Sequence, residues 1–494
     1  MMMRKIWIGA WLLLCTIGFQ ACLNQNDMLP TEHSISPRKA KEDFKEFLQI
    51  LKKAHPALYA YTPQEQLEKM SDSLQATITE NITQRQLFNM LSLIVDKISC
   101  AHTNVYLPDA TLEAIGQQRY FFPYPLTLIE DRLLVNIANN RLPQGTELKS
   151  INGKPVAEIL RKLSVYNNTD GMRSNLRRHL AADDFGYQYF LQYGPFKKFD
   201  IEYVLPDSSN VEKTEISAIT MAQLNDRNQN ERYYYDPTDV DYDFYTIDAG
   251  GYAVMKVRTF EYDSYSKNEA FENFCKNTFT MLRLKPGIKT LVIDIRQNAG
   301  GNYSNCHLLF SYLAQQPFQE FQQVSARIKK LPESSLVSEE YSGGGPDDVG
   351  SMLNDNFYKA NNGKYYIADS LNPMVKPLPE RFKGKVLVVV NGEVSSAAAY
   401  FASLVKNAGR GKIVGEETKG GAYMHNGFRN VVYELPNSKI QFAFSIANVV
   451  HTLAHKEDYG HGVQPDYLKP SGLVDFQKNK DTQLNFIQDS LLKN

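Results

Sequence analysis

The chain has 494 residues, 43% of them hydrophobic and 22% charged, which predicts two or three packed units with a large buried core. Its 54 Lys and Arg residues nearly balance its 55 Asp and Glu residues. No overall charge therefore favours nucleic acid or an anionic membrane surface as a partner, so any partner must be recognised locally.

The N-terminus is typical of an export signal, because Arg4 and Lys5 precede an apolar run over 6–19 that is too short for a comfortable membrane span. The run leads to Ala21 and Cys22, and the stretch resembles a bacterial lipoprotein signal, whose cysteine is acylated after cleavage. We therefore expect lipidation at Cys22 and a stable membrane anchor made of several acyl chains.

Phe19 and Gln20 depart from the commonest lipoprotein consensus, which leaves a plain cleaved secretory signal or an uncleaved anchor open. In each case the protein is expected to be exported. As a lipoprotein it would belong to the cell envelope, facing the periplasm or the cell surface, with the outer membrane as the expected location.

The cysteines beyond the signal do not predict a disulfide framework or a zinc site. Cys100, Cys275 and Cys306 are odd in number and have no short paired spacing.

Helix signals dominate the first part of the body, and strand signals dominate the next. The helix starts are predicted at Ser36 with Pro37, Thr62 with Glu65, and Thr83 with Gln86. Short strands such as 132–137 and 199–205 follow, broken by Pro, Gly and Asn. Within them, 142–163 has a Gly turn, a short strand, an Asn-Gly turn and a helix. That order resembles a PDZ domain, a module that holds peptide ends by strand addition.

From residue 250 onward the pattern is α/β. Buried-strand runs are predicted at 252–258, 291–295 and 386–390, and helical segments follow the last two, which implies right-handed crossovers. The segment 427–450 alternates as two strands. The predicted division is a signal peptide 1–21, a tether 22–35, a helical unit 36–110, a PDZ-like β-rich region 111–240, an α/β core 241–470 and a C-terminal tail 471–494.

Two strand-to-helix junctions carry the chemical information, because ligands of α/β sheets lie outside the carboxyl ends of the strands. The first, 290–301 (TLVIDIRQNAGG), ends in a glycine pair that lets backbone approach a substrate carbonyl. In the second, 385–421, Ser395 and Ser396 open an Ala-rich helix, placing a hydroxyl at its positive end. The alternatives are an ordinary turn and two helix-capping serines.

Together these junctions resemble the paired signatures of the tail-specific, or C-terminal processing, peptidases, a serine-peptidase family that includes the tricorn core protease. The resemblance covers about 250–470 and reaches back to 97–104 (KISCAHTN), which is similar to the family's Asp-x-His-Thr segment. It implies an α/β fold, α+β overall, with a crossover core of the ClpP and crotonase type. The family's nucleophile stands fourteen positions before the arginine of Gly-Arg, which gives Ser396, counted back from Arg410.

The resemblance also assigns an oxyanion hole to backbone amides. It implies the amide of Ala397 together with that of Gly300 or Gly301, and each such donor is worth about 10²- to 10³-fold in rate. Asp294, Arg296 and Asn298 match the motif of the first junction, and we expect them to fix the loop.

The family's Ser/Lys branch carries a lysine where this chain has Gly421, and Lys419 lies two positions too early. The Gly-Gly form resembles the tricorn and retinoid-binding-protein branch, in which a distant histidine acts as base. The resemblance gives His102 that role, although Cys100 and Ala101 replace the usual residues before it. Without the resemblance, His102 would be interpreted as a structural histidine.

A third group should orient His102. The family's acid lies just before the late Gly-Val-x-Pro-Asp segment, so Asp458 and Glu457 are the candidates, with Asp458 preferred and solvated loop carboxylates as the alternative. Ala399 replaces the Glu that the family usually carries three residues after the nucleophile, which keeps an inactive family member open as an alternative.

The other histidines are secondary candidates. His425 is the alternative base. His451 and His455 have metal-ligand spacing, but no Glu follows His451 as in metalloproteases, and no metal or cofactor is expected.

The sequence thus predicts an exported serine-type endopeptidase acting on peptide or protein substrates. One rival is an inactive family member that binds a peptide or a small ligand. Another is an envelope scaffold whose PDZ-like unit recruits the tails of partner proteins.

Overall fold

The structure is a computed structural model that describes residues 33–137, 141–233, 240–261, 265–342 and 344–492. The predictions of a signal peptide and of lipidation at Cys22 lie outside the described residues.

The N-terminal unit is mainly helical. Its elements are β1 (Ser34–Ile35), α1 (Pro37–Ala54), α2 (Gln64–Ala76), β2 (Ile82–Thr83), α3 (Gln84–Ile98), β3 (Asn104–Tyr106) and α4 (Asp109–Gly116). Ser36 is the N-cap of α1 with Pro37 in its first turn, and Thr83 and Gln86 form the predicted capping box of α3.

The predicted start of α2 at Thr62 is wrong. The Thr62 hydroxyl donates to the carbonyl oxygen of Lys97 at 2.6 Å and makes no capping hydrogen bond with the helix. The helix begins at Gln64, and its N-cap is Pro63.

The middle region combines a sheet with several helices. Its elements are β4 (Leu126–Ile129), β5 (Arg132–Val135), β6 (Glu147–Ile151), β7 (Lys154–Pro155), α5 (Val156–Leu163), α6 (Ser174–Asp183), α7 (Phe185–Tyr193), β8 (Lys198–Val204), β9 (Glu212–Ser217) and α8 (Met221–Asp226). The sheet order is β4-β5-β6-β8-β9, and the region has a hydrophobic core of its own. The predicted strand, Asn152–Gly153 turn and helix are present as β6, turn and α5.

The remaining chain forms the α/β core. Its strands are β10 (Tyr242–Ile247), β11 (Tyr252–Val257), β12 (Thr290–Asp294), β13 (Phe318–Gln319), β14 (Gln323–Ala326), β15 (Phe357–Lys359), β16 (Tyr365–Ile367), β17 (Met374–Val375), β18 (Lys385–Val390), β19 (Lys412–Gly415), β20 (Met424–Glu434), β21 (Gln441–Val450) and β22 (Tyr467–Leu468). Its helices are α9 (Tyr265–Leu284), α10 (Tyr303–Ser311), α11 (Glu339–Ser342), α12 (Pro346–Asn356), α13 (Ser396–Asn407), α14 (Leu473–Gln477) and α15 (Thr482–Phe486).

The central sheet has the order β10-β11-β12-β18-β19-β22. All neighbouring strands from β11 to β22 are parallel, and β10 is an antiparallel edge. β12 and β18 are buried along almost their whole length because helices cover them, as expected of a parallel sheet. The predicted α/β fold class is confirmed.

A second sheet has the order β15-β16-β14-β21-β20, and β3 of the N-terminal unit pairs with β21. The predicted alternating pair of strands is the hairpin β20–β21. Phe47 of α1 packs edge-to-face on Phe442 of β21 with ring centroids 4.9 Å apart. The N-terminal helices and the α/β core therefore share one continuous hydrophobic core.

The segment predicted as a C-terminal tail is folded against the central sheet. Asp481 and Gln483 accept hydrogen bonds from the buried guanidinium of Arg296, with the Gln483 contact at 2.9 Å. This contact fixes α15 next to the turn that follows β12.

Candidate active site

Ser396 begins α13 in a strained backbone conformation. Its φ of +52° lies in the left-handed region, which is uncommon for a residue other than glycine and occurs most often at functional sites. Neither serine of the pair caps the helix: the Ser395 hydroxyl donates to the carbonyl oxygen of Ala299 at 3.0 Å, and Ser396 makes no side-chain hydrogen bond within the described chain. The partly exposed Ser396 hydroxyl is therefore left at the positive helix end.

The glycine pair of the first junction lies directly against Ser396. A Cβ placed on Gly300 would be 2.6 Å from the Ser396 Cβ and 2.9 Å from the Ala397 amide nitrogen. The Gly300 amide donates to the Asn298 side-chain oxygen at 2.8 Å, so this amide is already used in a hydrogen bond. Within the described chain, the amides of Gly301 and Ala397 have no acceptor, so these two N–H groups are free to bind an oxyanion.

Asp294, Arg296 and Asn298 hold this junction in place. The buried Arg296 guanidinium donates to both carboxylate oxygens of Asp294, at 2.9 and 2.6 Å. The Asn298 side chain donates to the Val257 carbonyl oxygen at 3.1 Å, and its backbone oxygen accepts from the Ser395 amide at 3.2 Å. The two junctions are thereby joined at their tips.

His102 lies in the loop that joins α3 to β3. The helix ends at Ser99, whose φ of +55° turns the chain sharply. Two residues after His102, Asn104 pairs with Ala443, which attaches the loop to the second sheet. Thr103 is buried, and its hydroxyl lies 2.9 Å from the His55 ring nitrogen. The position of His102 relative to the core is therefore fixed on both sides.

A glycine loop and Asp170 connect His102 to Ser396. A Cβ placed on Gly420 would be 2.9 Å from the Ser396 amide nitrogen. The next amide, that of Gly421, donates to Asp170 at 3.1 Å, and the same carboxylate accepts from the Ala101 amide at 3.0 Å. The histidine and the serine therefore border one site, although no hydrogen bond joins their side chains in the described structure.

The imidazole of His102 is kept neutral mainly by burial. Burial lowers its pKa below the usual value, the Asp170 carboxylate opposes this shift, and the Lys419 ammonium adds to it. The Nδ1 atom of His102 is buried without a hydrogen-bond partner. A neutral imidazole is the form that can accept a proton from a serine.

We expect this lowered pKa to be visible in the pH dependence of peptide hydrolysis. The base works in its neutral form, so kcat/KM should fall on the acid side only as the pH passes through the lowered pKa of His102. The acid-side midpoint should therefore lie below the ordinary histidine value of about 6.5. A midpoint above that value would contradict the described environment of His102.

No hydrogen bond or ion pair joins the predicted acids Glu457 and Asp458 to His102 in the part of the chain that the structure describes. They lie in a 3₁₀ turn, Lys456–Asp458, where Glu457 is exposed and Asp458 is half-buried. Neither carboxylate makes a hydrogen bond within the described chain. The turn packs near Asp170 all the same, because a Cβ on Gly171 would be 2.1 Å from the Gly460 carbonyl oxygen.

His425, the alternative base, is engaged on both ring nitrogens. Its Nε2 lies 2.7 Å from the Tyr303 hydroxyl, and its Nδ1 lies 2.6 Å from Nε2 of His451. His451 is fully buried and its Nδ1 lies 2.9 Å from the Ala422 carbonyl oxygen, whereas His455 is exposed. His425 has no free nitrogen for Ser396, which favours His102 as the base.

Asp170 was missed in the sequence because nothing in its own segment marks it. The run NNTDGMR over 167–173 has the composition of a turn, and Asp-Gly is a common turn pair. Its proximity to the site arises from tertiary structure, through contacts with segments on either side of it in the chain. The nearest distinctive feature is a pair of buried arginines, Arg173 and Arg177, at the start of the helix that follows.

Cys100, His102 and Asp170 also form a potential metal-donor set. One ligand atom from each lies within 4.8 Å of the others, and sulfur, imidazole and carboxylate together suit Zn²⁺. Burial raises the pKa of the Cys100 thiol to about 12, so the sulfur is protonated unless a metal displaces the proton. The serine chemistry proposed below uses the neutral imidazole of His102 from this set.

Residues 251–468 match the model of peptidase family S41. The chain carries an S41 peptidase domain. The predicted resemblance to the C-terminal processing peptidases is thereby confirmed, and the domain is that of a serine-type peptidase, a hydrolase. No curated protein matches the chain.

Solved structures agree with this assignment at the level of the fold. The chain is similar to mature CPAF complexed with lactacystin, with 15% identity, a TM-score of 0.62, and coverage of 92% of this chain and 98% of that chain. Mature CPAF without that compound gives 16% identity, a TM-score of 0.57, and coverage of 92% and 97%. The likeness extends over nearly the whole chain, including the regions that precede the S41 domain.

Proposed function

We propose that this S41 protein is an exported serine endopeptidase that hydrolyses peptide bonds in peptide or protein substrates. Ser396 is the nucleophile and His102 is the general base. The family pattern offers Glu457 or Asp458 as the acid, and the amides of Ala397 and Gly301 bind the oxyanion. The observation that carries this proposal is the left-handed Ser396 at the start of α13, packed between Gly300 and Gly420 and released from any capping role.

The proposed reaction follows acyl-transfer chemistry. The Ser396 oxygen attacks the scissile carbonyl carbon while its proton passes to a ring nitrogen of His102. The carbonyl oxygen becomes an oxyanion facing the amides of Ala397 and Gly301, and its collapse expels the amine, which takes the proton from His102. Water then hydrolyses the acyl-serine by the same route, and Ser396 recovers its proton.

Export and lipidation are part of the proposal and rest on the sequence. The run over 6–19 and Ala21 before Cys22 support an N-terminal lipid anchor. Within the described residues, no helix has the length and apolar character needed to cross a membrane. A lipid anchor would hold the protein at the membrane without such a helix.

A second candidate function is peptide or ligand binding without catalysis. It is favoured by the absence of a hydrogen bond between Ser396 and His102 in the described structure, and by Ala399 in place of the family's usual Glu. In enzymes without substrate, however, catalytic hydrogen bonds are often long and tighten only on binding. The strained Ser396 backbone has no evident purpose in a binding protein, so the peptidase is preferred.

Covalent labelling with a fluorophosphonate probe tests the proposal. An activated serine should form one adduct, which peptide mass spectrometry should place on Ser396. Boiled protein and Ser395→Ala serve as controls, since denaturation should abolish labelling and loss of the neighbouring hydroxyl should not. Folded protein that takes up no probe would favour the binding function, and an adduct on another serine would show that the nucleophile is misplaced.

A further inference from the structure

The Asp170 carboxylate is clamped between the two halves of the proposed site. It is 2% exposed, and its two oxygens each accept a backbone N–H, from Ala101 at 3.0 Å and from Gly421 at 3.1 Å. Ala101 directly precedes the base, and Gly421 belongs to the loop that lies against Ser396. The carboxylate is therefore fixed by the same two loops that bring base and nucleophile together.

The backbone around Asp170 is fixed as well. Its amide donates to the Lys419 carbonyl oxygen at 3.3 Å. The buried guanidinium of Arg173 donates to the carbonyl oxygens of Asp170, Thr418 and Lys419. These contacts leave the carboxylate little freedom to move away from His102.

His102 has an unused nitrogen close to this carboxylate. A carboxylate oxygen of Asp170 lies within 4.8 Å of a ring nitrogen of His102, and the Nδ1 atom is buried without a partner. The ring makes no other hydrogen bond within the described chain, so no bond has to break for the imidazole to turn toward Asp170. Buried nitrogens are normally paired, so an unpaired one beside a carboxylate needs an explanation.

We infer that Asp170, rather than Glu457 or Asp458, is the carboxylate that positions His102 by accepting its Nδ1–H. The inference rests on the proposed function and concerns the third member of its site. Glu457 is exposed and Asp458 half-buried, and neither carboxylate is bonded to any other group in the described chain. Asp170, by contrast, has a carboxylate oxygen within 4.8 Å of a His102 ring nitrogen and accepts the amide of the residue before it.

Gly421 provides an independent argument. It stands where Ser/Lys members of the family carry their basic lysine. A Cβ at this position would be 2.2 Å from the Met424 carbonyl oxygen and 3.3 Å from the Asp170 Cβ. A side chain at position 421 would clash with the Met424 carbonyl and crowd Asp170, so glycine is required where the backbone amide binds the carboxylate.

The effect of Asp170 on pH dependence follows from the groups that face His102. These are Asp170, Lys419, the protonated Cys100 thiol and His425, whose ring centroid is 5.7 Å from that of His102. Of the two charged groups, Asp170 raises the pKa of His102 and Lys419 lowers it. Loss of the Asp170 charge should therefore lower the pKa of His102 further and move the acid limb of kcat/KM to lower pH.

The test compares Asp170→Asn with Glu457→Gln and Asp458→Asn in the full chain, with kcat/KM measured against pH. Asp170→Asn should lose about 10²- to 10⁴-fold, the upper figure being that of the corresponding change in a known triad, and its acid limb should shift to lower pH. Glu457→Gln and Asp458→Asn should lose less of their kcat/KM, and the acid limb of their pH profiles should not shift. A larger loss with a shifted acid limb in either of them, or an unshifted acid limb in Asp170→Asn, would overturn the inference.

Ser396→Ala separates this result from the proposed function. Cleavage that survives Ser396→Ala would contradict the serine peptidase, whichever acid is correct.

An asparagine side chain has only one acceptor oxygen, so either the Ala101 or the Gly421 amide would lose its hydrogen-bond acceptor. Thermal unfolding must therefore first show that Asp170→Asn folds. A measurement without that variant uses Ser396→Ala protein with ¹⁵N-labelled histidine. At low pH, the Nδ1–H of His102 should give a far-downfield proton signal, assigned by its loss in His102→Gln and retained in Glu457→Gln and Asp458→Asn. Absence of the signal, or its loss in either carboxylate variant, contradicts the role of Asp170.

Discussion

Ser396→Ala is expected to lower kcat/KM for peptide hydrolysis by about 10⁴- to 10⁶-fold, since the members of such a site act as a unit. The hydroxyl makes no structural hydrogen bond in the described chain, so its removal should leave stability nearly unchanged. Cleavage of a diverse peptide mixture, followed by mass spectrometry, measures the loss and also reveals the sequence preference of the wild-type protein.

Ser395→Ala is the matched control for this variant. The Ser395 hydroxyl donates to the Ala299 carbonyl oxygen at 3.0 Å, and a hydrogen bond of this kind contributes about 0.5–1.5 kcal/mol. Loss of this bond should therefore lower kcat/KM by about tenfold or less. Equal cleavage by wild type and Ser396→Ala would indicate a contaminant or a misplaced nucleophile. No cleavage by either protein, once both are shown to be folded, would favour the binding function.

His102→Gln should reduce kcat/KM by nearly as much as Ser396→Ala, because a serine without its base is a weak nucleophile. The double variant should be scarcely worse than either single one, since each change already removes the shared proton transfer. Peptide hydrolysis by the four proteins of this cycle measures the coupling.

His425→Gln is the control that separates the two neighbouring histidines. The His425 ring is stacked near His102 but has both nitrogens occupied by Tyr303 and His451. Its replacement should affect stability more than the chemical step. If losses in the Ser396 and His102 variants multiplied, the two residues would act independently and a shared proton transfer would be refuted.

The parts of the fold predicted best are those whose signals are local. The capping box of Thr83 and Gln86 and the Asn152–Gly153 turn need only residues within a few positions of one another. The strands β12 and β18 were recognised because burial on both faces requires an unbroken apolar run.

The helices α6 and α7 were missed because their sequences lack an ordinary amphipathic pattern. The buried face of α6 consists of Arg177, Ala181 and Ala182, and the arginine is paired with Asp96, so no large apolar residue marks the face. In α7 the aromatic residues of FGYQYFLQY alternate as they would in a strand. In both cases tertiary contacts outweigh the local pattern.

Site residues that lie within a continuous sequence motif could be predicted, and those outside such a motif could not. Ser396 and the glycine pair come from two such motifs, and the structure places them side by side. Asp170 approaches His102 only through contacts between distant loops, which no spacing in the sequence encodes.

The pairing of β3 with β21 bears on when the protein can first act. The histidine lies early in the chain, but the strand that holds its loop, Gln441–Val450, follows the serine. A nascent polypeptide therefore lacks a positioned base until synthesis has passed that strand and the hairpin has closed. Truncated or partly translocated products should be inert, which would spare the producing cell from premature digestion of its own proteins.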